Sequence, residues 1–297
     1  MKPPSLSLRD RLLPVFTVLV GVLLLWLAGA VGLNRAGVIE RVLPNSHPNG
    51  DWTTADLVRA TLSMERPLLP APHQVVADLY SSLVDWPLAS PRNLLYHVAV
   101  TAQSTLVGFV LGTLLGIALA AAIVHSRTLD RALLPWIVAS QTVPVLAIAP
   151  IVLVILGSLG FSGVAPKATI AMYLCFFPVT VAMVQGLRAP QRIETELMHT
   201  YAASRLQAFW LLRMPSALPY LFPSLRVAIA AGLVGAMVAE LPTGAQAGLG
   251  AKLLTGSYYG NTIGIWSALV MSALLGLALT AAVAGVERLV LRQRRLA

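Results

Sequence analysis

The sequence predicts an all-α integral membrane protein with about six transmembrane helices. Only 11% of the 297 residues are charged and 57% are hydrophobic, whereas a soluble domain carries about 25% charged residues. Mean hydropathy is +0.77. So few charges cannot cover a water-soluble globule, but they suit a chain whose main solvent is lipid. The charges sit in short clusters between long apolar runs, as juxtamembrane anchors do. Those runs lack period-2 alternation, and backbone groups in lipid must pair internally, so they read as helices and not as barrel strands.

A hydrocarbon core about 30 Å thick takes roughly 20 apolar residues of helix. Six segments meet this requirement: residues 12–33, 98–124, 133–156, 168–187, 218–241 and 263–286. Lys2, Arg9 and Arg11 precede the first, and Ala28-Gly29-Ala30 mimics a secretory cleavage site. A signal's apolar stretch is only about 7–15 residues, however, which favours a retained helix. Residues 1–33 are therefore expected to form a cytoplasmic N-terminus and first span. Residues 34–97 form an external connection, 98–288 a transmembrane domain with an inner connection at 188–219, and 289–297 a basic cytoplasmic tail.

The external connection is rich in Pro, Asn, Asp and His, and a connection that long is usually functional or disordered. Within it, residues 72–84 space Val75, Val76, Leu79 and Leu83 on one helical face, which predicts a short interfacial helix. In the second span Gly108, Gly112 and Gly116 repeat at G-x-x-x-G spacing, a face that lets helices approach closely. Pro135, Pro144 and Pro150 remove backbone donors from the third span and bend it. Gln141 and Thr142 just before Pro144 either line a translocation path or pack between helices, and Gln185 in the fourth span carries the same two readings. Cys175, the single cysteine, reads as a small buried side chain and excludes any disulfide within one chain.

The inner connection reads as two short helices, with Glu194 and Glu196 near the start of the first and Arg205 and Arg213 further on. Glu240 lies in the apolar part of the fifth span, where a carboxylate costs at least ~2.5 kcal/mol unless paired or near water. It is either an outer-gate residue or a cap for the Pro242-Thr243-Gly244 turn. Arg288, Arg292, Arg294 and Arg295 face anionic lipid head groups. With both termini in the cytoplasm, fourteen of the 21 Lys and Arg fall on the inner side, as the positive-inside rule requires. The net charge of +9 shows no basic stripe with interleaved aromatics, which argues against nucleic acid. His47, His73, His97, His125 and His199 lack ligand spacing, so no metal site is expected.

The inner connection carries the sharpest signal. It reads Glu196-Leu197-Met198-His199-Thr200-Tyr201-Ala202-Ala203-Ser204-Arg205 and continues to Leu212-Arg213-Met214-Pro215. This resembles the EAA loop of ABC importer permeases, whose pattern is E-A-A, three residues, G, nine residues, I, one residue, L-P. Leu197 and Met198 stand for the two alanines and Ala202 for the glycine. Leu69-Pro70-Ala71-Pro72-His73-Gln74-Val75 is similar to the LPSP-x-x-V element of the nitrate, sulfonate and taurine branch. Ala147-Ile148-Ala149-Pro150, Phe176-Phe177-Pro178 with Gln185-Gly186-Leu187, and Val238-Ala239-Glu240-Leu241 with Gly248-Leu249-Gly250 resemble its later motifs, in the family's order.

The resemblance implies a type I ABC importer permease fold in the bacterial inner membrane. Its implied partners are a second permease copy, a cytoplasmic ATPase dimer and a periplasmic or lipid-anchored solute-binding protein, with membrane lipid around it. Solutes of the family are sulfonates, taurine, nitrate or pyrimidine precursors. No cofactor is expected on this chain, and ATP is expected on the partner, since no G-x-x-x-x-G-K-[ST] phosphate loop is present. Coupling to the ATPase would fall on Glu196, Thr200, Ala202, Ala203, Ser204, Arg205, Leu212, Met214 and Pro215. The small run Ala202-Ala203-Ser204 permits close approach, although alanine enters positive φ less freely than glycine. Glu196 also suits a helix start electrostatically. The expected path residues are Gln141, Thr142, Pro144, Gln185 and Glu240. The alternative, an ion-coupled secondary transporter, would show inverted repeats and ionisable groups in mid-span, and neither is visible.

Overall fold

The computed structural model describes residues 8–46, 50–242 and 247–295. Among them all regular structure is helical. They divide into two compact units: the chain up to Asn93 with Leu253–Leu269, and Leu94–Lys252 with the residues from Val270 onward.

In the first unit, α1 (Leu8–Arg41) is followed by α2 (Leu43–Ser46), α3 (Thr54–Leu62) and α4 (Pro72–Val84). The first span thus continues past residue 33, through Asn34, to Arg41. Asn34 is buried with partners on both ends of its amide: Nδ2 donates to the Leu69 carbonyl at 2.8 Å, and Oδ1 accepts from the Leu68 N–H at 2.8 Å. The residue expected to open the external connection is a clamp on the segment before α4. Beyond it Val38, Leu43 and Leu57 form a small core, so much of the expected connection is packed helix. Thr53 starts α3 with a capping box to Asp56. The helix expected over residues 72–84 is present with those bounds. Pro72 sits in its first turn, where a missing N–H costs nothing. Gln74 reaches back to accept from the Ala71 N–H at 2.9 Å and donates to the Met64 carbonyl at 2.9 Å. The Trp26 indole donates to the Pro70 carbonyl at 3.0 Å and packs at 5.0 Å from the Trp266 ring.

The second unit contains α5 (Leu94–His125), α6 (Arg127–Ser140), α7 (Val145–Ser158), α8 (Val164–Leu187), α9 (Arg192–Thr200), α10 (Arg205–Ala208) and α11 (Met214–Glu240). It also holds the start of α12 (Leu249–Tyr259) and most of α13 (Thr262–Arg295). Its centre is the mutual packing of α5, α8 and α11. The glycine face of α5 meets α8 directly. A Cβ on Gly108 would lie 2.4 Å from Ala171 Cβ, one on Gly112 2.5 Å from Cys175 Cβ, and one on Gly116 2.9 Å from Val179 Cβ. The backbones are therefore closer than any larger residue allows, which is how small-residue seams gain dispersion energy in lipid. Cys175 is fully buried in this seam, and its thiol donates to the Ala228 carbonyl at 3.1 Å.

Among the described residues, five helices are long and apolar enough to cross a membrane, and α6 with α7 makes a sixth if read as one span. That pair corrects the single third helix expected over residues 133–156. It is two helices bent by 103°, because Pro144 lacks an N–H and bars the α conformation to Val143. The carbonyls freed at the break find other donors. Thr142 donates to Ala139 from its hydroxyl at 2.8 Å, and the Tyr173 hydroxyl of α8 donates to the Ser140 carbonyl.

Candidate functional site

The inner connection is built as a capped helical corner. Gln191 precedes α9, and its N–H donates to the Glu194 carboxylate at 2.8 Å, so Glu194 and not Glu196 serves the helix start. Glu196 faces outward and pairs with Arg192 at 2.8 Å. Both side chains are exposed, and such pairs contribute about 0–1 kcal/mol. Thr200 bonds back to the Glu196 carbonyl at 3.2 Å.

The helix ends in a Schellman turn: the Ala202 N–H reaches the His199 carbonyl at 2.9 Å and the Ala203 N–H reaches Met198 at 3.0 Å. Such a turn needs a left-handed residue, and Ala202 supplies it with φ +51°, the single non-glycine residue at positive φ among those described. Ser204 then caps α10. Its hydroxyl accepts from the Gln207 N–H at 3.2 Å, and the Gln207 side chain accepts from the Ser204 N–H at 2.8 Å.

From Arg205 the helix runs on to Glu240 through a π turn at Phe209–Arg213. The turn lies just ahead of Pro215, whose missing N–H leaves the Leu211 carbonyl without its usual donor four residues on. Leu212, Met214 and Pro215 are consequently half-buried at the start of α11 and continuous with it. On the open side, Ile193, Leu197 and Tyr201 recur every fourth residue and are exposed, as are Leu206, Trp210 and Leu211. A cavity of about 350 Å³ behind the corner is lined by His125, Met198, His199, Arg205 and Phe209, among others. The His125 and Phe209 rings lie 5.1 Å apart.

The path residues do not come together as one set. Gln141, Thr142 and Pro144 occupy the α6–α7 break and are exposed, and Gln185 is exposed on α8. Glu240 is different: it is fully buried. Its carboxylate is 3.4 Å from Lys167 Nζ and 3.0 Å from the Thr101 hydroxyl. It also accepts from the Gly250 N–H at 2.8 Å. Thr101 accepts in turn from the Leu249 N–H at 2.8 Å, and His97, one turn earlier on α5, accepts at Nδ1 from the Gly248 N–H at 3.0 Å. Lys167 donates to the Ala247 carbonyl at 2.9 Å. The carboxylate and the threonine thus satisfy the first N–H groups of α12, where negative charge is favoured.

The expected cap on the turn at residues 242–244 falls partly outside the described residues; the cap that is described is on residues 249–250. Glycine is required beside Glu240, since Gly248 has φ +129° and a Cβ there would lie 2.1 Å from the carboxylate carbon. A Cβ on Gly250 would lie 2.2 Å from the Met237 carbonyl. Sequence reasoning missed Lys167 and His97 as members of this cluster, because they lie 73 and 151 positions from the residues they bond.

Membrane-length helices packed through a glycine seam, a broken span, and a helical corner with its own turn chemistry define an α-helical integral membrane protein. Residues 112–295 match the family described as "Binding-protein-dependent transport system inner membrane component". The chain therefore belongs to that family and is a permease of the ABC importer type. It is 34% identical to the formylaminopyrimidine transport permease protein ThiX of Halalkalibacterium halodurans, over 77% of this chain and 86% of that one. It is 31% identical to the riboflavin transport system permease protein RibX of Chloroflexus aurantiacus, over 76% and 80% of the two chains. The taurine transport system permease protein TauC of Escherichia coli is 28% identical over 67% and 69%.

Proposed function

We propose that two copies of this chain form the translocation path of an importer for a small solute, and that the α9–α10 corner couples it to a cytoplasmic ATPase dimer. Both termini lie in the cytoplasm, and a periplasmic or lipid-anchored solute-binding protein delivers the solute from the other side. ATP binds and is hydrolysed on the ATPase, whose closure moves the corner as a rigid body and alternates access to the path. Gln141, Thr142, Pro144 and Gln185 face that path. The solute belongs to the classes carried by the relatives: a pyrimidine-type or flavin-type ring, or a sulfonate or nitrate anion.

One observation carries the coupling role. The corner holds Ala202 at positive φ, where the EAA pattern has its glycine, and presents Ile193, Leu197 and Tyr201 exposed beside it. A solvated loop has no use for an apolar stripe along one helix, nor for a strained turn that fixes the direction of the next one. Inward placement of the corner rests on the excess of Lys and Arg on its side of the sequence.

Ala202→Asp tests the reading. Aspartate enters the left-handed region more readily than alanine, so the turn survives while an unpaired charge enters the contact, where burial costs several kcal/mol. The same change on a solvated loop stays within about 0.5 kcal/mol. The expected result is a normal membrane level with loss of ATPase co-purification or of uptake. A variant that binds its ATPase and transports at the unmodified rate sinks the proposal.

A further inference from the structure

We propose that the cavity between the N-terminal ends of α5 and α8, the C-terminal end of α7 and the segment after α11 binds a flat, uncharged heteroaromatic solute through Lys167. The inference rests on the importer reading and names the solute class among those it leaves open.

The cavity is about 840 Å³, inside the range of small-molecule sites and far larger than a nitrate ion fills. Tyr96 and Phe161 line it with Val100 and Leu153, and Gln103 and Lys167 supply the polar contacts. Lys167 is only 7% exposed. Two of its three N–H donors are used, on Glu240 and on the Ala247 carbonyl. The third has no partner among the described residues, and the side chain forms part of the cavity wall.

Charge decides the class. As an isolated outward lysine, Lys167 would favour an anion. Paired with a fully buried Glu240, it leaves the wall with no net positive charge, and no other charged side chain lines the cavity among the described residues. An anion entering here loses its hydration and meets a compensated ion pair. A neutral ring with a carbonyl or ring nitrogen loses little hydration. It gains a charge-assisted hydrogen bond from Lys167 and two aromatic partners.

The test places a cysteine at the cavity wall, Ser162→Cys, in the full chain in lipid nanodiscs. The maleimide labelling rate is then followed with formylaminopyrimidine, taurine or nitrate. Formylaminopyrimidine is expected to protect at a concentration about 10- to 100-fold lower than either of the others, the ratio of a hydrogen bond to a charged donor. Adding Lys167→Met with Glu240→Gln, which removes the donor and leaves no buried charge, should raise its half-protecting concentration by a similar factor. Cys175, fully buried, must stay unlabelled as the check on folding. Should the paired change expose it, Phe161→Leu at the exposed rim serves instead and should weaken protection severalfold.

Equal or better protection by taurine or nitrate overturns the proposal. So does absence of protection by all three, or a half-protecting concentration that the variants leave unchanged. Those results leave ATPase co-purification untouched, whereas failure of the unmodified chain to associate with its ATPase would overturn the importer reading itself.

Discussion

Replacing Ala202 with glycine removes the Cβ from a residue held at φ +51°. An L-residue in the left-handed region costs about 1–2 kcal/mol. Glycine surrenders about 0.5–1 kcal/mol of that through the greater freedom of its unfolded chain. The net is a gain of about 1 kcal/mol in the closed turn, or roughly fivefold in its opening equilibrium. Valine works in the opposite direction, because a β-branched residue at positive φ is a steric outlier, and should shift the equilibrium by at least as much.

The reporters are the Ala202 and Ala203 amides, which close the turn on His199 and Met198 at 2.9 and 3.0 Å. Hydrogen exchange on the segment spanning residues 198–206 should slow about fivefold in Ala202→Gly and quicken by a similar factor in Ala202→Val. Uptake should follow the same order if the turn transmits ATPase motion. Exchange that is unchanged or faster in the glycine variant would refute the argument, because the strain would then not reside at this residue.

Three further outcomes follow from the same geometry. Gly112→Ala places a Cβ 2.5 Å from Cys175 Cβ and 2.8 Å from the Met172 carbonyl. Overpacking of about 1–3 kcal/mol outweighs a helix-propensity gain of about 1 kcal/mol. Thermal unfolding in detergent should fall, whereas Gly21→Ala, with nothing within 4 Å, should not lower it. Lys167→Met strands a buried carboxylate and should cost about 3–5 kcal/mol, most of it restored by adding Glu240→Gln; equal losses in the single and paired variants would contradict the pairing. Gln141→Trp, at the exposed α6–α7 break, should reduce uptake with ATPase association intact, and unchanged uptake at normal expression removes Gln141 from the path.

Local chemistry by itself determined the class of this protein and much of its plan. Few charges and long apolar runs require lipid as solvent, and six runs require about six spans, because each follows from hydrophobicity and helix rise alone. The glycine repeat of α5 foretold a close helix contact, since its three members share a face at every turn. The helix from Pro72 and the corner after Arg192 were legible for the same reason: caps, prolines and periodicity act within a few residues. Alanine in place of glycine at 202 raised the question of positive φ, and the structure answered that the backbone adopts it.

Tertiary structure decided what depends on residues far apart in the chain. Lys167 and Glu240 are separated by 73 positions and Thr101 and Glu240 by 139, so no periodicity in either neighbourhood reveals that they meet. Asn34 read as the first residue of the external connection, and the backbone of Leu68 and Leu69 instead satisfies it within a continuing helix. Three prolines announced a bend in the third span, but its size depended on whether the freed carbonyls found donors. Thr142 supplied one locally and Tyr173 another from α8. A buried polar group is tolerated only where a partner reaches it, and which partner does so is a property of the packing.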